Sequence, residues 1–533
     1  MHEIKNMANR FRQGKYIRFF LICLAYMLIV YFPMYTHGLV NQWDGIWEYN
    51  YYKAGRWSIS LGRWLWPFLD RMKMGLGMEP FATMVTCALF AFGITLAMFF
   101  IFDQKRISGS AYLCSFLFLG SASVCISLSY RFMSATYGFA FLFSILAVFL
   151  LAEIKKSIPA VFLAGLFIAA QMGLYQAYLG CTGVMIVIWL LTELVKEDRT
   201  LKSVAFLMGR AVCALAFGGA LYLGGMKLCM KLTHTVAASY KGMENYTVMN
   251  MISNLGSSIG KAYEIFRRFY FNMDYHTMLF MNASYFYYGL MIMVTIAFVI
   301  RVLFCLIVLY KKDWKKGILA TALLIVLPVA SNAVILVATE ADMALQMTVA
   351  QALFLPVIFC MFERIKSEYA KHSQPPKALK MAEVFSAAVL MVMLYGTVAQ
   401  TQVDQEAMRT GMLCVTNMAK EMVQDLKEEG YLNCGKSICV VGVPSGNELY
   451  YFSQACEGAN HYAVFGTWGV WSDRESWQGV FEHLICLNIE FATKEQYGQT
   501  KGNPEIADMP CFPNRGYIKE IGDVILLKVS EAY

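Results

Sequence analysis

Apolar stretches of about 20 residues, each long enough to cross a ~30 Å hydrocarbon core, recur along most of this chain as far as residue 400. Composition points the same way. Of the 533 residues, 58% are hydrophobic and 15% charged, with mean hydropathy +0.48. A soluble protein of this size carries roughly 25% charged residues to cover its surface. The formal net charge of +8 does not point to nucleic acid, because the basic residues sit in short loops between the apolar stretches.

The pattern predicts about eleven transmembrane helices, at 17–36, 80–102, 110–128, 134–153, 159–174, 177–195, 204–226, 286–310, 317–337, 344–362 and 381–399. The basic start before the first of these (Lys5, Arg10, Arg12, Lys15, Arg18) has no small-residue cleavage site after it, so the segment reads as an uncleaved anchor. Orientation follows from the lysine and arginine bias of short loops. With the N-terminus inside, inner loops hold Lys105 and Arg106, Lys155 and Lys156, Lys196, Arg199 and Lys202, then Lys311, Lys312, Lys315 and Lys316. The last inner loop adds Arg364, Lys366, Lys371 and Lys377. Residues 1–400 are therefore expected to form the membrane domain, with long outer loops at 37–79 and 227–285, and residues 401–533 a small domain outside the cytoplasmic membrane. Arg210 and Arg301, near inner helix ends, read as snorkelling side chains. Few ionisable groups fall at span centres, which argues against an ion or proton pathway.

The C-terminal part reads as α/β. An amphipathic helix is expected at 404–430, with Met408, Met412, Val415, Ala419, Met422 and Leu426 on one face. A strand at 437–443, a helix near 476–489 and strands near 516–519 and 523–529 follow. Tyr450, Tyr451, Trp468, Trp471 and Trp477 are core aromatics or a surface for stacking on sugars. Six of the 15 cysteines lie here, where disulfides are chemically allowed. There is no CxxC pair, no Cys/His grouping with zinc spacing and no phosphate-binding glycine loop of the GxxxxGK[ST] kind.

The first outer loop, HGLVNQWDGIWEYNYYKAGRWSISLGRWLWPFLDRM, is the richest in chemistry. Asp44 and Glu48 are four apart, so on a helical turn both carboxylates face one way. The run from Trp57 to Asp70 mixes tryptophan, leucine and charge, as a helix lying in the interface plane does. An aromatic belt with snorkelling arginines accounts for the pattern without catalysis. The alternative is a carboxylate that takes the proton of an attacking hydroxyl, beside cations that receive a departing phosphate. Asp44 and Glu48 are the candidates for the first role, and Lys53, Arg56 and Arg63 for the second, with Arg131 as a further phosphate ligand. Tyr130, Tyr175, Gln176, Glu340 and Asp342 also lie at outer helix ends and are candidate substrate contacts. Lys241, Glu244, Arg267, Arg268, Asp274 and His276 in the second long loop read as solvated charges. An acidic set at a membrane surface can bind Mg²⁺ or Mn²⁺, or neither.

Four features together resemble the Gtr-type (type II) glucosyltransferases that modify bacterial O-antigen and related surface polysaccharides, members of the GT-C superfamily. They are the acidic first loop ending in AGRWSISLGRWLWPFLD, the Tyr-Gln turn in GLYQAYLG, the multi-span middle, and a C-terminal segment ending MPCFPNRGYIKEIGDVILLKV. The family typically has adjacent carboxylates early in the loop, whereas this chain has Asp44-Gly45. The resemblance implies an all-α polytopic membrane bundle of GT-C-like form with an extracytoplasmic α/β domain. It further implies a polyprenyl-phosphate-linked sugar donor, glucose being the sugar, and a cell-surface glycan acceptor, both met at the lipid bilayer of a bacterial cytoplasmic membrane. A glycan-lipid flippase or export component, and a polysaccharide polymerase or ligase, are the alternatives.

Overall fold

In lipid every backbone N–H and C=O has to be bonded within its own segment, so a long apolar run folds as a helix. Helix occupies most of each of the eleven predicted segments in the computed structural model, which describes residues 14–42, 44–48, 53–72, 78–101, 107–238, 253–271, 285–336, 343–369, 377–447, 449, 458–466 and 471–531. The helical part comprises α1 (Gly14–Val30), α2 (Phe32–Thr36), α3 (Asp44–Glu48), α4 (Arg56–Ser60), α5 (Trp66–Met72), α6 (Phe81–Ile101), α7 (Gly109–Leu119) and α8 (Ala122–Ser129). It continues with α9 (Ser134–Glu153), α10 (Ser157–Leu174), α11 (Leu179–Val195), α12 (Leu201–Thr233), α13 (Leu255–Phe271), α14 (Tyr285–Lys312), α15 (Trp314–Ser331), α16 (Val349–Tyr369) and α17 (Lys377–Glu428).

Among the described residues, eight helices are long and apolar enough to cross a membrane, or nine if α7 and α8, bent by 45°, count as one span. The first and tenth predicted spans are helical, but the first helix is shorter than predicted and only Val349–Glu363 of the tenth is apolar. Helix α1 has 17 residues and stops before Tyr31, where Pro33 cannot donate the next helical hydrogen bond. The carbonyl of Val30 accepts instead from Gln402 Nε2 at 2.8 Å and Gln405 Nε2 at 3.0 Å. The α7–α8 bend is satisfied in the same way: Tyr31 donates to the Leu119 carbonyl and Thr401 to the Gly120 carbonyl. Neither Arg210 nor Arg301 snorkels. Both are buried; Arg210 donates to the carbonyls of Leu151 and Ile154, and Arg301 to Ser386 Oγ.

The last predicted span and the predicted amphipathic helix are one continuous 52-residue helix, α17. Of its predicted apolar face, Met408, Val415, Ala419, Met422 and Leu426 are fully buried. Beyond it β1 (Ser437–Val441), β2 (Ile518–Ile521) and β3 (Val524–Lys528) form a sheet of order β1-β3-β2, with β1 parallel and β2 antiparallel to β3. Alternate residues of β3 face opposite sides. Ile525 and Leu527 join the apolar core that continues from α17 into the bundle, while Val524 and Leu526 meet Ile506 and Met509. Helices α18 (Asp473–Gly479) and α19 (Lys494–Lys501) complete the described part of the domain, and α18 runs on as a wider turn only to Leu484, short of the predicted 489. Trp471 and Trp477 are core residues, stacked edge-on at 5.4 Å; Tyr450, Tyr451 and Trp468 lie outside the described residues. Cys434, Cys439, Cys486 and Cys511 are free thiols.

Candidate active site

The two carboxylates of the first loop sit on α3, a helix of only five residues, so its position depends on what holds it. Asn41 secures the entry: its Nδ2 donates to Ser129 Oγ, and its Oδ1 accepts from the Gly45 amide at 3.3 Å. A Cβ on residue 45 would lie 3.0 Å from that amide group. Residue 45, beside Asp44, thus lies against the Asn41 side chain and carries no second acid. The nearest second acid is Glu48, one turn on, and its carboxyl is pushed up to about 7 by burial and by the negative charge of Asp44. Burial also raises Asp44, opposed by the positive charge of Arg63 and by its own backbone N–H.

Arg63 is the predicted cation that joins this centre. Its guanidinium lies 4.7 Å over the Tyr175 ring, and its Nε is buried with no hydrogen-bond partner among the described residues. The arginine is aimed by a turn built on Gly62, whose φ of +78° belongs to the left-handed region. Gln176 braces that turn, donating to the Leu61 carbonyl at 2.7 Å and to Tyr222 Oη at 3.0 Å. The run from Trp57 to Asp70 is therefore two short helices, α4 and α5, joined at Gly62, and not one interfacial helix. Asp70 acts as a clamp, accepting from the Ala54 amide and from Trp66 Nε1.

The other predicted residues divide clearly. Lys53 and Arg56 are exposed on the loop. Arg131 is buried, with Nη1 donating to the Gly38 carbonyl at 3.1 Å, and its charge opposes the burial that raises Glu79. Tyr130 Oη accepts from Gln346 Nε2, and its ring adjoins Tyr137, which in turn touches Tyr175. Arg267 and Arg268 are exposed on α13, an amphipathic helix that donates Tyr263 Oη to the Ile325 carbonyl. Glu340, Asp342, Lys241, Glu244, Asp274 and His276 lie outside the described residues. Among the described residues no group of three or more His, Cys, Asp or Glu is placed to hold a metal ion.

Sequence reasoning did not single out the residues of the C-terminal part that bear on α3. Trp47 Nε1 donates to Ser476 Oγ at 2.7 Å, His483 Nε2 lies 3.2 Å from the Trp47 carbonyl, and Gln42 Nε2 donates to the His461 carbonyl. A Cβ on Gly479 would lie 2.3 Å from the Ile46 carbonyl oxygen, so α18 rests directly on α3. The 458–462 segment is fixed to α17 by Asp404, whose carboxylate accepts from Gln400 Nε2, the Asn460 amide, Asn460 Nδ2 and Tyr462 Oη. The polar run Gln400–Gln405 just after an apolar span is the signal that marks this clasp. Glu79, before Pro80 at the head of α6, was also missed; it accepts from the Thr83 amide and hydroxyl.

The carboxylate pair, an arginine on an aromatic ring and most of the apolar helices fall within residues 39–362, which match the family model described as Glucosyl transferase GtrII. The chain belongs to that family. No curated protein and no solved structure matches it. As a member of the GtrII family it is a glycosyltransferase carried on several apolar helices fit to cross a membrane. The family match ends at Phe362, before Asp404 and before the segment that rests on α3.

Proposed function

We propose that this protein is a GT-C-type glucosyltransferase that works on the outer face of a bacterial cytoplasmic membrane, moving glucose from a polyprenyl phosphate to a cell-surface glycan. The observation that carries this reading is the pairing of Asp44 and Glu48 with Arg63, whose Nε has no partner among the described residues. Asp44 is the first choice of base and Glu48 the second. The base accepts the proton of an acceptor hydroxyl while that oxygen forms a bond to the anomeric carbon. The bond from that carbon to the phosphate oxygen breaks, and the electron pair leaves with the polyprenyl phosphate. Arg63, with Lys53 and Arg56 nearer solvent, stabilises the phosphate as its charge develops. One displacement of this kind inverts the anomeric configuration. Outward orientation is supported by the lysine and arginine bias of the short loops.

A sugar-transfer assay with radiolabelled polyprenyl-phosphate glucose tests the reading. Wild type transfers label, and Asp44→Asn reduces transfer by about 10²–10⁴-fold, the usual worth of a general base, with the protein still folded. Full activity in both Asp44→Asn and Glu48→Gln would reduce the first loop to an interfacial belt. Product with retained configuration would rule out the single displacement.

A further inference from the structure

Helices α10 and α12 touch at a pair of glycines and diverge from there. A Cβ on Gly165 would lie 2.4 Å from the Phe217 ring, and one on Gly218 would lie 2.7 Å from Ile168. Small residues let the backbones meet at this point. Toward the start of α10 the helices part, leaving a groove of about 560 Å³ lined by Ile158, Val161, Phe162, Phe206, Gly209 and Arg210. Ile158 and Phe206 are 85% and 60% exposed, so the groove opens sideways to the surroundings of the bundle.

The head of this apolar groove is basic. Arg210 is only 8% exposed. Its Nη2 donates to the carbonyls of Leu151 at 3.2 Å and Ile154 at 2.8 Å, the orphan acceptors at the end of α9. Its Nε is buried without a hydrogen-bond partner, and no carboxylate pairs with it among the described residues. Lys155 and Lys156, between Ile154 and the groove residue Ser157, are exposed. Lys202 is exposed on α12 and shares a helical face with Phe206 and Gly209.

We propose that this groove binds an anionic phospholipid, with its phosphate on the flanking lysines beside the buried charge of Arg210 and an acyl chain between α10 and α12. The apolar walls alone would accept any lipid tail. The exposed Lys155, Lys156 and Lys202, with the charge of Arg210 that no carboxylate balances among the described residues, are what select a negative headgroup, and basic pockets between membrane helices recognise such headgroups. The site is separate from Asp44, Glu48 and Arg63 and does not depend on the reaction assigned to them.

Native mass spectrometry of the delipidated full-length protein, titrated with phosphatidylglycerol or phosphatidylcholine of the same chain length, tests this. Wild type is expected to retain phosphatidylglycerol about fivefold or more over phosphatidylcholine, since each basic residue near a headgroup contributes about 1 kcal/mol. Arg210→Gln should remove the preference. Because that residue is buried, two milder variants accompany it. Gly209→Leu points into open space and should fill the groove and expel the lipid with Arg210 intact. Lys155→Gln with Lys156→Gln alters only exposed side chains and should weaken the preference. Equal retention of both lipids by wild type, unchanged phosphatidylglycerol binding in Gly209→Leu, or preferential capture of polyprenyl phosphate would each overturn the assignment.

Discussion

Glu48 titrates where enzymes of this kind are assayed, because burial and the neighbouring Asp44 hold its carboxyl near 7 against an ordinary value of 4.5. A raised carboxyl is protonated below that value and charged above it, so transfer should fall as pH drops through about 7. In Glu48→Gln that limb should vanish, which kcat/KM measured from pH 5 to 9 would reveal. Persistence of the limb in Glu48→Gln would assign it elsewhere. The glycine before Arg63 is as sensitive as the acids. At φ +78°, with Tyr222 Oη only 2.4 Å from the place of a Cβ, Gly62→Ala meets both backbone strain and a clash. It should destabilise the fold by about 1–3 kcal/mol and lower transfer more than Arg56→Ala, which alters an exposed side chain. Thermal unfolding in detergent and the transfer assay read the two effects.

Helix α3 is where elements distant in sequence decide the geometry. Five residues cannot hold a helix unaided; Asn41 fixes one end, and Ser476, Gly479 and His483 of the C-terminal domain bear on the other. Gly479→Ala would place a methyl 2.3 Å from the Ile46 carbonyl oxygen, so α3 or α18 must move. A shift of about 1 Å in a reacting group lowers rate by roughly 10²-fold. The expected signature is a lower kcat with donor KM unchanged, beside a loss of stability of about 1–3 kcal/mol from the forced shift; a rise in KM alone would mean that α18 touches substrate and does not position the acids. Asp404→Ala acts one step further out. It leaves the Asn460 amide, Asn460 Nδ2 and Tyr462 Oη without that acceptor in a buried place, while Gln400 keeps the Gly458 carbonyl. The loss should reach several kcal/mol, seen as a lower unfolding temperature with the domain loosened from α17.

Across the whole molecule, what the sequence made legible was what local physics dictates. Apolar length placed the helices, and the period of Met408, Val415, Met422 and Leu426 located the buried face of α17. The charge pattern of the first loop offered Asp44, Glu48, Lys53, Arg56 and Arg63 without separating the half-buried Asp44 and Glu48 from the exposed Lys53 and Arg56. The continuity of α17 was hidden, because Gln400, Thr401 and Gln402 lower hydropathy without weakening the helix; they serve Gly458, Gly120 and Val30 instead. The support of α3 was hidden for a plainer reason: Trp47 and Ser476 are 429 positions apart, and no periodicity links residues so distant. Sidedness is the remaining property of the whole chain, and native thiols provide its test. Cys434 and Cys486 are exposed in the C-terminal domain, while Cys213 is exposed on the apolar groove. The lysine and arginine bias predicts that a membrane-impermeant maleimide modifies Cys434 and Cys486 in intact spheroplasts. Cys434→Ser with Cys486→Ser should remove most of the signal, and Lys156→Cys on that background with the partly exposed Cys511 also changed to serine should react only after permeabilisation. Labelling of Lys156→Cys from outside, with the C-terminal thiols protected, would invert the orientation and move the carboxylate pair to the cytoplasmic side.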